Sequence, residues 1–588
     1  MRRCSLRVMV LGLPLLGIPA RAEDAPPSVK SAVAVPASDE PLFTVMRAEL
    51  LRSTSELRLP NAGAPYHAAY WVADLEEHDV EATLGVLVSD TTLRSRFIRV
   101  ETRVGSREFD NSNFVGVGSD DGEIVIRESE LIVPRAVAID DDGPAIRREL
   151  WLATDAAYKA AVEALGKKRA HKQSEVALRP DPPSFSDQPS AQVVVAAESR
   201  LPAFDAQKLA RETSAVFRKF AEVQRSTAHV LVSNSRRRFV ASDGGYAVEP
   251  AHFAALEISC SARAKDGMQV ERNAVLVGKG GGPPDERAAV EEAKRLAADV
   301  TSLKAAEVAD DYSGPVLFEG KAAAQVAFEL LGDSLSGTPA PMGNEALESP
   351  LSLKLGKRVM PKGFSVFDDP TITSYEGIPL LGHYVVDDEG IQGQRVSLVE
   401  DGRLKSFFMS RAPRDGIAQS NGHGRSGLMG YARGRPANLI VRAKEGLSKR
   451  ELRARLAKTV REQGGTFGLV VTDLAPRVSA SNGGAMPPPE VIYRVSLDGK
   501  ETLLRGAQFT GMTVRDLREV IGTGRDLGAY AFVAESDGAL DLSVSVVAPS
   551  LLFEDIEVRG PTSPSKRPPV VPRPDLQLGS RQQRTPTE

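Results

Sequence analysis

Cysteine is almost absent from this chain of 588 residues, which contains only Cys4 and Cys260. Cys4 lies in a segment that we expect to be removed, so an intramolecular disulfide is excluded and the fold must depend on core packing. Cys260 alternates with Leu256 and Ile258, which is typical of a buried strand. Nothing beside it in the sequence supports a nucleophilic role.

Histidine is also scarce, and its spacing restricts the metal sites that the chain can build. The closest two of the seven histidines are His67 and His78, so no pair has the one-turn spacing that a zinc-binding helix uses. The alternative is a site assembled from distant strands, for example from His383 and His423. We favour structural roles for these lone histidines.

Neither sign of charge dominates, and no basic tract stands out. The chain has 74 lysines and arginines against 78 aspartates and glutamates, for a formal net charge of −4. A protein that holds nucleic acid needs a basic patch or stripe, so nucleic acid is not an expected partner. After residue 22 there is no apolar run of about 18 residues, so we expect no transmembrane segment in the mature chain.

The first residues have the pattern that we expect of a targeting signal. Arginines at positions 2, 3 and 7 precede an apolar run over residues 8–18, and Ala20, Arg21 and Ala22 form an A-x-A cleavage site. This order is typical of a secretory signal peptide over residues 1–22. The alternative, an uncleaved membrane anchor, is disfavoured because the run is short for a bilayer. The sequence thus predicts export to the periplasm or the extracellular space.

Hydrophobic spacing predicts an α+β fold, in which a mixed N-terminal α/β region precedes a large, mostly antiparallel β-rich domain. Alternation from Ile98 to Val104 predicts a strand, and Asp498 with Gly499 predicts a hairpin. Helices are predicted over 41–57, 144–168, 203–222 and 513–522, with another after the capping residue Asp285.

The same patterns divide the chain into successive parts. These are a signal peptide (1–22), a flexible linker (23–40), the N-terminal region (41–310) with a linker-like loop (171–200), the C-terminal domain (311–560) and a disordered proline-rich tail (561–588).

Two polar segments of the C-terminal half are candidates for chemistry. Asp387, Asp388, Glu389 and Gly390 form its densest acidic motif, which fits either a cation or peptide-amine site or a turn between two strands. We favour the turn. Residues 420–427 form a glycine-rich loop, SNGHGRSG, whose glycines permit another backbone to approach closely.

Several motifs together carry a family resemblance. They are YSGPVLFEGKAAAQVAFELLGD (312–333), LGKRV (355–359), FDDPT (367–371), GHYVVDDEGIQGQRVSLVEDGRL (382–404) and SNGHGRSG (420–427). In order and spacing they resemble the TldD/PmbA family, which is linked to metallopeptidase activity. The resemblance covers roughly residues 200–560, is specific in 312–430 and 504–560, and implies a two-part fold and dimers.

The resemblance also implies a catalytic helix that this chain has altered. Members of the TldD type carry His-Glu-x-x-x-His where this chain has Phe328, Glu329 and Asp333, and they use a later cysteine as a further ligand. Only the glutamate matches, and no cysteine follows Cys260. We therefore expect no metal in this chain, and zinc in a partner subunit instead; zinc in this chain is the alternative.

These observations lead to three hypotheses of function. The first is an exported PmbA-like subunit that binds peptide or forms a proteolytic chamber with a zinc-bearing TldD-type partner, as a homo- or heterodimer. Its candidate peptide-binding residues are Asp388, Glu389, His423 and Arg425. The second is an active hydrolase with a relocated or missing metal and Glu329 as its base. The third is a non-enzymatic binding or structural protein of the cell envelope.

Overall fold

The computed structural model describes most of the chain between residues 41 and 562. The described residues are 9–12, 41–59, 63–115, 117–120, 123–126, 132, 134–174, 182–195, 201, 203–426, 430–476, 486–534 and 542–562. The linker 23–40 and nearly all of the predicted signal peptide and tail lie outside them. The predicted domain boundaries remain a prediction.

The described residues contain six α-helices. They are Pro41–Glu56 (α1), Gly143–Ser174 (α2), Ala206–Ala215 (α3), Glu286–Ala305 (α4), Lys321–Leu331 (α5) and Lys449–Glu462 (α6). Asp285 caps α4 as predicted, because its carboxylate accepts the Ala288 N–H. The helix predicted over 513–522 is instead a short 3-10 helix, Val514–Glu519.

Strands dominate both halves of the chain. The first ten are Met9–Gly12 (β1), His67–Thr83 (β2), Val86–Arg103 (β3), Val117–Asp120 (β4), Glu123–Ile126 (β5), Arg135–Val137 (β6), Gln192–Val194 (β7), Arg225–Ala241 (β8), Tyr246–Arg263 (β9) and Gln269–Val277 (β10). The next ten are Glu307–Val308 (β11), Tyr312–Phe318 (β12), Phe364–Asp368 (β13), Ser374–Tyr375 (β14), Ile378–Pro379 (β15), Val396–Glu400 (β16), Arg403–Leu404 (β17), Gly424–Arg425 (β18), Arg433–Gly434 (β19) and Asn438–Ala443 (β20). The last six are Phe467–Leu474 (β21), Pro489–Ser496 (β22), Glu501–Arg505 (β23), Gln508–Phe509 (β24), Val520–Ala534 (β25) and Leu542–Arg559 (β26).

The N-terminal sheet has the order β10-β9-β8-β2-β3-β6, with β7 added beside β9. Successive side chains of a strand point to opposite faces, so the sheet can pack on both sides. On one face, Tyr70 and Val72 pack against α1 and α2, and Val230 packs against α3 and α4. On the other face, Trp71 and Phe239 pack against Val386 of the C-terminal half.

The C-terminal sheet is larger and mostly antiparallel, with the order β11-β23-β22-β21-β12-β26-β20-β13-β16-β17 and with β24 and β25 also paired to β26. Alternation again sets its two faces. Leu317 of β12 packs with Leu452 and Leu456 of α6, whereas its neighbours Val316 and Phe318 belong to the core that includes α5. The predicted α+β architecture is therefore confirmed.

Strand β1 extends the C-terminal sheet at one edge. Met9–Gly12 pairs antiparallel with β25, from Met9 opposite Val533 to Gly12 opposite Tyr530. It also contacts β10 and β9 of the N-terminal sheet, so this extended segment lies between the two sheets. Of the helices within the described residues, none combines the length and the apolarity that a bilayer crossing requires.

Candidate functional site

The altered helix α5 ends inside an aromatic cluster. The Phe328 ring centroid lies 4.6 Å from that of Phe532, edge to face, and 6.4 Å from that of Tyr530. Phe328 is 6% exposed. A Cβ added at Gly332 would lie 2.9 Å from the Phe328 carbonyl oxygen and 3.0 Å from its ring, so glycine is needed here. Position 328 is therefore part of the core.

The other two motif positions lie in different environments from Phe328. Glu329 is half-buried and Asp333 is exposed, whereas Phe328 is buried. Zinc needs three or four nitrogen, sulfur or carboxylate ligands around one centre. Within the part of the chain that the structure describes, no three histidine, cysteine or carboxylate side chains are grouped closely enough to hold a metal ion. The residues at this helix do not fit the zinc site that the family implies.

The acidic motif at residues 387–390 is a turn closed by its own first carboxylate. Asp387 Oδ1 accepts the N–H groups of Glu389 and Ile391, at 3.0 and 2.9 Å. Gly390 has φ of 77°, and a Cβ there would meet the Phe239 ring at 2.2 Å. Sterics and backbone conformation thus both require glycine at this position.

The same turn holds the glycine-rich loop. Asp387 Oδ2 accepts the Gly424 N–H and Asp388 Oδ2 accepts the Ser426 N–H, both at 2.8 Å. A Cβ at Gly424 would lie 2.2 Å from Glu389 Oε2. The close approach that the glycines permit is therefore to the acidic turn of the same chain.

The acidic turn also binds the N-terminal half. Asp388 Oδ1 accepts a hydrogen bond from Arg237 of β8 at 2.9 Å, and Arg237 lies 3.3 Å from Glu249 of β9. Glu389 Oε2 accepts the Arg411 N–H at 2.5 Å. The Arg411 side chain reaches Asp243 at 2.9 Å. The acidic turn is consequently a junction of both halves.

Burial controls ionisation at this junction. Burial raises the pKa of Glu389 to about 7; Arg103 opposes this rise and Glu101 adds to it. Burial and the neighbouring Glu389 raise the pKa of Asp387, against the backbone donors that favour its charged form. Burial lowers the pKa of His67, whose charged form Arg411 also disfavours, to about 3.

His423 and Arg425 are held by the protein itself. His423 is fully buried, with Nε2 3.1 Å from Asp368 Oδ1 and Nδ1 3.0 Å from Asn421 Oδ1. Arg425 donates to the carbonyl oxygens of Pro436 and Ser543. His383, the partner considered for a two-histidine metal site, is exposed. The two histidines thus lie in opposite environments.

A cavity of about 100 Å³ lies between the two halves, above the acidic turn. The N-terminal sheet supplies a largely apolar wall, and the C-terminal half supplies a polar one. The lining includes Trp71, Leu75, Ser233, Arg237 and Phe253 on the first side and His383, Tyr384, Asp388, Arg425 and Ser543 on the second. We call it the interdomain cavity.

All four candidate peptide-binding residues are buried. Asp388 and Arg425 line the interdomain cavity, whereas Glu389 and His423 do not. Sequence reasoning missed Arg237 and Trp71. Both lie on strands whose alternating pattern predicts which side chains share a face of the sheet. No local pattern in the sequence, however, indicates that this face packs against the C-terminal half.

Cys260 is the buried strand residue that its alternation predicted, in β9. Burial raises the pKa of its thiol well above the ordinary value. A thiol in this state is a poor nucleophile at neutral pH.

Comparison with known proteins gives matches to one family. Residues 311–560 match the family model described as the PmbA/TldA metallopeptidase C-terminal domain. A metalloprotease from Archaeoglobus fulgidus is 34% identical over 73 residues, and one from Methanocaldococcus jannaschii is 39% identical over 74 residues. Each alignment covers 12% of this chain, and 16% and 15% of the respective relatives. The aligned segment thus spans less than a fifth of the curated relatives.

Solved structures share the fold over a longer range. TldE from Thermococcus kodakarensis has a TM-score of 0.55 at 13% identity, covering 88% of this chain and 100% of that chain. A candidate modulator of a DNA gyrase from Thermotoga maritima MSB8 has a TM-score of 0.55 at 17% identity, covering 84% of this chain and 96% of that chain. The resemblance inferred from the motifs is confirmed over residues 311–560, which carry the C-terminal domain of the metallopeptidase-related TldD/PmbA family.

Proposed function

We propose that this protein is an exported, metal-free TldD/PmbA-family subunit that binds unfolded polypeptide and forms a proteolytic chamber with a zinc-bearing TldD-type partner. The observation that carries the proposal is Phe328. At the position of a family zinc ligand it has no lone pair to offer, and its ring packs against Phe532. The similarity to TldE supports the choice of partner.

Binding of an extended chain is supported by β1. Met9–Gly12 adds a strand to β25 between the two sheets, which is the geometry of β-strand addition. Met9 is opposite Val533, and Val533 is opposite Ser543 on β26. Ser543 lines the interdomain cavity, so this edge leads to that cavity. If residues 1–22 are removed on export, the edge becomes available to another polypeptide.

The proposal is tested first on the purified mature chain alone. We expect substoichiometric zinc by elemental analysis, binding of an unfolded peptide by fluorescence anisotropy, and no cleavage by mass spectrometry. Near-stoichiometric zinc together with cleavage by the chain alone would overturn it. N-terminal sequencing of the protein from its source cell envelope should begin at Glu23.

Pairing is tested by co-expression with a relative that carries the His-Glu-x-x-x-His helix. Light scattering after size exclusion should show a complex of the two chains, and the complex should cleave the peptide that this chain only binds. A mixture that elutes as two separate species, with no change in cleavage, would contradict the chamber.

The second candidate, an active hydrolase that uses Glu329, is kept because this glutamate matches the family and is only half-buried. If the chain alone cleaves peptide, the Glu329→Gln variant shows whether Glu329 is the base. Loss of cleavage with unchanged peptide binding would assign the base to Glu329, and retained cleavage would exclude it.

A further inference from the structure

We infer that this chain selects polypeptide segments in which lysine or arginine side chains lie beside an apolar residue. The apolar residue would enter the interdomain cavity, and the basic side chains would lie along four carboxylates next to it: Glu77, Asp79 and Glu81 of β2 and Glu257 of β9. We call these the carboxylate row. The inference rests on the proposed peptide-binding function and adds a substrate class to it.

Strand register places the carboxylate row on the cavity face of the N-terminal sheet. Alternate residues of β2 share a face, so Glu77, Asp79 and Glu81 continue the line of the cavity residue Leu75. Their cross-strand neighbours on β8 are Ser233, Leu231 and His229, and His229 is opposite Glu257. At roughly 3.4 Å per residue, the row extends about 20 Å from Leu75.

The carboxylate row has an excess of negative charge. Its one basic group is His229, with Nε2 2.7 Å from Asp79 Oδ2 and Nδ1 3.9 Å from Glu257 Oε2. Burial lowers the pKa of His229, but the hydrogen bond that its ring donates to Asp79 and the charges of Asp79 and Glu257 outweigh this and raise the pKa to about 9. Among the described residues, Glu77 and Glu81 form no ion pair. A basic ligand side chain would neutralise them.

Ser233 provides an independent indication that the cavity takes a ligand. Ser233 is only 4% exposed, lines the cavity, and is the cross-strand neighbour of Glu77. Its hydroxyl forms no hydrogen bond to the described residues, and its oxygen is open to the cavity. It can therefore form a hydrogen bond with the backbone or an amine of a bound chain.

The spacing favours a polypeptide over a metal ion. Alternate carboxylates along β2 are about 7 Å apart, too far for one cation, and no metal-holding group is found in the described part of the chain. An extended polypeptide repeats its side chains with the same spacing. Lysine or arginine side chains of such a polypeptide can therefore reach Glu77 and Glu81, while Asp79 between them is already paired with His229.

The test uses the full mature chain and three unfolded peptides that share their apolar residues and differ at alternate positions, which carry lysine, glutamine or glutamate. Fluorescence anisotropy at low salt should give the tightest binding for the lysine peptide, by about threefold to tenfold over the glutamine peptide. The difference should shrink as ionic strength rises, because exposed charges are screened.

The double variant Glu77→Gln/Glu81→Gln should remove most of the preference for the lysine peptide without weakening the binding of the glutamine peptide. Glu76→Gln is the matched control, since Glu76 is adjacent in sequence but points to the opposite face, where it pairs with Arg94 at 2.8 Å. Ser233→Leu fills the cavity and should weaken the binding of all three peptides. Circular dichroism checks that each variant folds.

The outcomes separate this inference from the proposed function. If none of the peptides binds, the peptide-binding function fails. If all three bind equally, or if Glu76→Gln changes the preference as much as the double variant, peptide binding stands and selection by the carboxylate row is wrong.

Discussion

The end of α5 and the acidic turn at 387–390 were both candidates for chemistry, and the structure places them in opposite physical states. At α5 the family's ligand position holds Phe328, packed against other rings. At the turn, Asp387, Asp388 and Glu389 are all buried and hydrogen-bonded. The comparison teaches that burial by itself does not distinguish an apolar packing position from a polar junction; the groups in contact with the side chain do.

The largest expected effect tests the aromatic cluster at the end of α5. Phe328→Ala should lower the free energy of unfolding by about 3–5 kcal/mol, because it leaves a cavity in the aromatic cluster. Glu329→Ala, one residue further on and half-buried, is the control and should change stability far less. Denaturant unfolding followed by fluorescence measures both. A small loss for Phe328→Ala would mean that the ring is not part of the core.

The packing of the glycine-rich loop against the acidic turn is tested by adding one methyl group to the loop. Gly424→Ala places a carbon 2.2 Å from Glu389 Oε2 and should cost about 1–3 kcal/mol through overpacking. Gly166→Ala in α2 is matched to it, because its Cβ would meet nothing within 4 Å. That change should stabilise by up to about 1 kcal/mol. Equal thermal shifts for the two variants would argue against the tight junction.

The pH dependence of stability tests the buried carboxylate. In the folded state the pKa of Glu389 is raised from 4.5 to about 7, so its contribution is present below pH 4.5 and lost as pH rises to about 7. Glu389→Gln keeps an acceptor for the Arg411 N–H and removes the titration. We expect the variant to gain stability relative to wild type by the order of 1–3 kcal/mol between pH 5 and 8.

Thermal unfolding across this pH range measures that difference. His67, whose pKa is lowered to about 3, reduces stability on acidification in both proteins and so cancels. Glu400→Gln, at an exposed position, is the control. Parallel curves for wild type and Glu389→Gln would show that Glu389 does not titrate in this range.

The smallest expected effect is on metal content. The double variant Phe328→His/Asp333→His restores the family pattern around Glu329, yet we expect zinc to stay well below one equivalent. Position 328 points into the aromatic core, position 333 is exposed, and no cysteine follows Cys260 to complete the ligand set. Elemental analysis measures this. One tightly held zinc per chain would show that two substitutions alone suffice.

Much of the fold was predictable from local patterns. The helix predicted over 41–57 is Pro41–Glu56, and the hairpin at Asp498 joins β22 and β23. These predictions succeeded because the periodicity of side chains and the backbone preferences of turn residues act over a few residues. The helix over 513–522 was wrong in type, since a single 3-10 segment capped by Thr513 takes its place.

The site was predictable only in part. Motif spacing singled out Asp388 and Arg425, which do line the interdomain cavity. It gave no indication of Arg237, which holds Asp388 from a strand 151 residues earlier. It also grouped His423 with the cavity residues, although Asp368 holds that ring in the interior.

By itself, the sequence determined the α+β class, the family resemblance, the acidic turn and the loss of both helix histidines, since residue identities and short-range periodicity carry these. The tertiary structure alone decided that Phe328 faces the aromatic core, that the turn joins the two halves, and that Glu77 continues the cavity wall. The reason is physical. Which face of a strand or helix becomes interior depends on the element that packs against it, and that element is often distant in sequence.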